Sequence, residues 1–145
     1  KIDGAYWAAY NVGATDNYLY GSQSNFENAQ NACPNGWRIP TKDELESLSA
    51  NYSPETIFNG LKGRWFSGSR AYSSLVPAIF LPYIDWHFPS DGSTYGLYWS
   101  SMIDSAYDND RERRAYGLYF NSEGTFLGIN SFVIRETTTV RCIKE

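Results

Sequence analysis

The chain has 145 residues, 42% hydrophobic and 19% charged, enough to bury one core without extra staples. Its net charge of −4 argues against nucleic acid, and the one basic cluster, Arg111, Arg113 and Arg114, is broken by Glu112 and preceded by Asp108 and Asp110. No apolar run approaches a membrane span. What is unusual is the aromatic share of 17%, more rings than a core of this size needs, which points to a surface that recognises something.

In chain order, Ala5 to Val12 reads as a strand ending at Gly13, and the polar stretch from Asp16 to Ser24 connects it to a helix. Phe26, Ala29 and Cys33 fall at i, i+3 and i+7, predicting an amphipathic helix from Asn25 to Cys33. Pro34 cannot continue it, and Asn35-Gly36 supplies the reversal. Thr41 with Glu44 forms a capping box for a second helix, whose buried side is Leu45, Leu48 and Tyr52.

Ser53-Pro54-Glu55 then starts a turn or helical piece through Ile57 and Phe58, stopped by Asn59-Gly60. Gly60, Gly63 and Gly68 suggest a long irregular segment around Arg64-Trp65-Phe66. Pro77 and Pro82 restrict the apolar run Val76 to Ile84 to a short or edge strand. Ile84 to Thr94 has no period and reads as a loop. Gly96 to Met102, Arg114 to Asn121, Thr125 to Ile129 and Thr138 to Lys144 read as strands. Early helices, an irregular middle and late strands make an α+β domain spanning 1–145, not a wound βαβ sheet.

The two cysteines, Cys33 and Cys142, sit on a helix and near the C-terminus. This placement favours a disulfide and an oxidising compartment, with a pair of buried free thiols as the alternative. No leader precedes Lys1, so the expectation is a mature piece of something longer.

Tyr6-Trp7-Ala8, Asn11-Val12-Gly13-Ala14 and Ala32-Cys33-Pro34-Asn35-Gly36-Trp37-Arg38-Ile39-Pro40-Thr41 resemble the opening of a Fibrobacter succinogenes major paralogous domain. Phe80-Leu81-Pro82, Gly96-Leu97-Tyr98-Trp99-Ser100-Ser101 and Thr139-Val140-Arg141-Cys142-Ile143 resemble its later blocks, in order. The resemblance implies a variant of the C-type lectin-like fold in a secreted or surface-displayed bacterial protein. It also implies binding in place of catalysis, on a long loop region built over a stapled frame.

Sugar-binding relatives of that fold hold calcium through a Glu-Pro-Asn type triplet and a Trp-Asn-Asp triplet. Here Trp99-Ser100-Ser101 occupies the second, and Leu81-Pro82-Tyr83 and Phe88-Pro89-Ser90 offer no carboxylate for the first. Asp104, Asp108, Asp110 and Glu112 lack the spacing of a calcium loop and read as a solvated face, so no metal or cofactor is expected. His87, the one histidine, lies in Asp85-Trp86-His87-Phe88-Pro89-Ser90, but adjacency does not make a triad, and no catalytic motif accompanies it.

Recognition remains. Tyr83, Asp85, Trp86, His87 and Tyr95 belong to one candidate surface, and Tyr107, Asp108, Asp110 and Arg111 to a second. Trp7, Trp37 and Trp99 read as core, whereas Trp65 fits either role. The expected function is calcium-independent binding of an extracellular glycan or protein, by one module of a longer surface or fimbrial protein. A structural module docked on a neighbouring domain ranks second, and an enzyme using His87 third.

Overall fold

The computed structural model describes residues 1–14, 21–83, 95–107, 113–122 and 126–145. Among them are helices α1 (Phe26–Ala29) and α2 (Lys42–Leu48) and strands β1 (Trp37–Arg38), β2 (Thr56–Phe58), β3 (Leu61–Phe66), β4 (Ile79–Pro82), β5 (Tyr95–Asp104), β6 (Arg114–Asn121), β7 (Leu127–Val133) and β8 (Ile143–Lys144). The architecture is α+β and strand-dominated, with three antiparallel sheets ordered β1-β8, β2-β3-β4 and β5-β6-β7.

Both helices start where their caps predict. The Asn25 side chain accepts from the Asn28 amide. At α2, Thr41 Oγ1 accepts from the Glu44 amide at 3.1 Å while the Glu44 carboxylate accepts from the Thr41 amide at 2.8 Å. Both stop early. α1 ends at Ala29 instead of reaching Cys33, and Tyr52 lies past the end of α2 with an exposed ring. Helices this short persist only through the side they bury, Phe26 and Ala29 in one case and Leu45 and Leu48 in the other.

The β5-β6-β7 sheet divides the core. Pairing of Tyr98 with Leu118 and of Trp99 with Gly117 sends alternate side chains to opposite faces. Tyr98, Leu118 and Phe120 meet Leu45, Leu48, Phe66 and Leu81 on one side. Trp99 and Ala115 meet Phe26, Ala29, Ile39 and Val140 on the other, with Trp99 edge-on to Phe26 at 5.6 Å. The Cys33–Cys142 pair, left open between disulfide and free thiols by the sequence, is a disulfide in this second cluster, with Cα atoms 5.9 Å apart.

Two expectations are corrected. The middle is not irregular: β2 and β3 form a hairpin, with β4 beside β3 at the sheet edge that its prolines allow. Asn59 (φ 52°) and Gly60 (φ 78°) provide the two left-handed residues such a tight turn needs. Conversely, the strands expected over Ala5–Val12 and Thr138–Lys144 dissolve into scattered pairings. Ala8 donates to the Cys142 carbonyl, Val12 to that of Val140 and Lys144 to that of Tyr6. Among the described residues of these spans only β8, paired with β1, and single bridges at Ile2–Ala5, Trp7–Ile143, Ser24–Thr138 and Tyr98–Thr139 are regular.

Candidate functional site

Register in the β2-β3-β4 sheet decides which rings share its outer face, where Phe80 is buried under its neighbours. Phe58 opposes Leu61 and Trp65 opposes Phe80, which leaves these four on one face while Phe66 and Leu81 enter the core from the other. Phe58, Trp65 and Phe80 form a closed trio, with ring centroids 4.8 Å (Phe58–Trp65), 5.3 Å (Phe58–Phe80) and 5.4 Å (Trp65–Phe80) apart. Gly63 makes room for it, since a Cβ there would come within 2.8 Å of the Phe80 ring and 2.3 Å of the Leu81 carbonyl. Phe58 is 40% exposed, and Tyr10 faces it across a groove with 61% of its surface in solvent.

The groove is small, about 30 Å³, and Leu61, Phe80, Pro82 and Asn59 complete its walls. Such a space admits a water-sized group. A ring-sized ligand must therefore lie across the rim. On the other flank of Trp65 a wider hollow of about 270 Å³ is lined by Tyr72, Ser73, Ser74, Val76 and Ala78. Trp65, which fitted either role in the sequence, lines this hollow and meets the groove walls through the rings of Phe58 and Phe80.

Arg141 forms part of the groove wall and is 2% exposed. Nε donates to Asn11 Oδ1 at 2.8 Å, Nη1 to the Ala8 carbonyl at 3.2 Å and Nη2 to the Phe80 carbonyl at 2.9 Å. The Tyr98 hydroxyl receives the Asn11 amide at 3.0 Å and donates to the Pro82 carbonyl at 2.8 Å. Phe80 and Pro82 lie on the outer edge of β4, which no strand covers among the described residues. Two buried side chains therefore satisfy the edge that a neighbouring strand would otherwise take. Burial lowers the Arg141 guanidinium to about 10, against a smaller opposing pull from Tyr98.

The structure disperses the sequence candidates. Tyr83 is buried with its ring 5.5 Å from Phe120, and burial pushes its phenol up against the pull of Arg64. Tyr95 lies on the opposite face of the main sheet, 5.6 Å from Tyr119, whose ring also meets Phe126 at 5.7 Å and Phe132 at 5.9 Å. Its phenol is likewise raised, first by burial and then by Glu136. Tyr107 sits past the far end of β5 beneath the Arg114 guanidinium, 4.8 Å away. Asp104 caps the turn at Ser105–Tyr107 by accepting from the Ala106 amide. Asp85, Trp86, His87, Asp108, Asp110 and Arg111 lie outside the described residues.

Tyr10, Phe58 and Phe80 are not among the site residues that the sequence suggested. The signal was Asn59-Gly60 between Thr56-Ile57-Phe58 and Leu61 to Phe66: taken as a hairpin turn, it sets the parity that turns Phe58 and Trp65 the same way. Compared with protein-family models, curated proteins and solved structures, the chain matches none.

Proposed function

We propose that this chain is an extracellular recognition module of a bacterial surface or fimbrial protein, built on a variant of the C-type lectin-like fold and binding a glycan without calcium. The observation that carries the reading is the Phe58–Trp65–Phe80 face with Tyr10 beside it. Phe80 is buried beneath its partners, but Phe58 stays 40% exposed with Tyr10 beside it, and exposed aromatic clusters of this kind mark contact surfaces. Flat rings held rigidly by a hairpin offer stacking area at low entropic cost. The Cys33–Cys142 bond is in keeping with an oxidising compartment. Among the described residues, no helix is long and apolar enough to cross a membrane.

The test is a glycan array with and without a chelator, repeated with Phe58→Ala and Tyr10→Ala. Both side chains are substantially exposed, so both variants should melt within a few degrees of the parent and lose about tenfold or more in binding. Chelator should change nothing. Full binding by both variants refutes the assignment of this face, and chelator-sensitive binding refutes the calcium-independent reading.

A further inference from the structure

We infer that the groove beside Phe58 selects an acidic saccharide, taking a uronate-type carboxylate toward Arg141 while the sugar ring lies on Phe58 and Tyr10. This rests on the glycan reading of that face and narrows it.

The first ground is charge. All three acceptors around Arg141 are neutral, an amide oxygen and two carbonyls, and the only ion pair among the described residues, Arg38 with Glu44, lies elsewhere. A guanidinium carries five N–H donors. Three are committed, which leaves two without an acceptor among the described residues. A buried cation whose described neighbours are neutral focuses positive potential into whatever opening reaches it. The opening that reaches Arg141 is this groove, whose described walls carry no acidic side chain.

The second ground is size. About 30 Å³ holds a water-sized group such as one carboxylate oxygen and excludes a pyranose ring, so the tip of one small anionic substituent descends while the ring stays at the rim. Phe58 and Tyr10 supply the faces on which a ring stacks, and Asn59 supplies an amide for a hydroxyl. The third ground separates a saccharide from an acidic peptide. An extended peptide would pair with a free sheet edge, but the outward carbonyls of β4 are already bonded to Arg141 and Tyr98. What remains is ring, amide and cation, the recognition set of an acidic sugar.

The experiment compares methyl glucuronide with methyl glucoside, which differ only in carboxylate against hydroxymethyl, by chemical-shift titration of the intact chain at millimolar ligand. A poly-glutamate peptide forms a third arm. Arg141 is avoided as a target because its loss would disturb the fold; Asn59→Asp instead puts a negative charge on the groove wall at a position where Asp, like Asn, tolerates the left-handed backbone. The expected result is glucuronide binding about tenfold tighter than glucoside, a gap that narrows as salt rises. Asn59→Asp should erase the gap, because it costs both sugars the amide contact but repels only the glucuronide, and Phe58→Ala should weaken both sugars equally. Equal binding of the two sugars overturns the acidic inference and leaves the glycan reading standing. Binding of the peptide alone overturns both in favour of a protein partner, and shifts absent from the groove with every ligand overturn both outright.

Discussion

Reducing the Cys33–Cys142 bond removes the tie between the segment after α1 and the last strand, and the consequence can be sized from the loop it closes. The cysteines are 109 residues apart. In the chain-entropy picture, a loop of that length restricts the unfolded chain by about 4.8 kcal/mol at 25 °C, an upper figure because residual structure in the unfolded state lowers it. For 145 residues the unfolding entropy is roughly 0.3 kcal/mol/K, so the full effect lowers Tm by about 16 °C. The non-covalent contacts between the chain ends, Trp7 with Ile143 and β1 with β8, remain in the reduced protein and keep the same native structure. The assay is urea unfolding of the oxidised and reduced protein, with Cys33→Ala/Cys142→Ala alongside. The reduced protein isolates the tether, and the double variant adds the cost of the vacated sulfur sites beside Val140 and Phe26. A reduced protein within about 1 kcal/mol of the oxidised one would refute the claim that the disulfide sets the frame and would assign that task to the terminal pairings.

Two further predictions concern polar groups. Glu44 is held down to about 2, first by its hydrogen bonds to Arg38 (2.6 and 2.8 Å) and then by the Thr41 cap, with burial opposing. Because the folded carboxyl is the stronger acid, its contribution is complete above pH 4.5 and disappears as pH falls toward 2. The pair is partly solvent-exposed, so Glu44→Gln should cost only about 1 kcal/mol at pH 7 and nothing near pH 2; equal losses in urea midpoint at both pH values would refute the assignment. Tyr98→Phe removes the donor to the Pro82 carbonyl in a fully buried site, and should cost about 1–3 kcal/mol in thermal unfolding. A neutral Tyr98→Phe would show that the edge of β4 is satisfied by other means.

The features legible in the sequence are those whose hydrogen bonds or contacts close within a few residues. The Thr41–Glu44 box, the Asn25 cap and the bounds of β6 need no knowledge of distant partners. The strands of β5 and β6 are rich enough in aromatic and apolar residues to be placed without their neighbours, whereas β7 runs beyond the expected segment because its length is set by pairing with β6. Helix length was not legible: Cys33 continues the apolar period of α1, yet the chain leaves the helix at Gln30 and places that sulfur against Cys142.

The candidate site shows the same division. Its residue types, aromatic rings beside a hairpin turn, stand openly in the sequence. Their joint orientation does not, because a strand's outward face depends on which residue of another strand lies opposite, and a slip of one position reverses it. The local code determined the caps, the turns, the α+β class and the surplus of rings. Tertiary pairing alone decided that Phe58, Trp65 and Phe80 share an outer face and that Arg141, distant in the chain, lies beneath its groove, since those positions are set by contacts between segments that no local spacing connects.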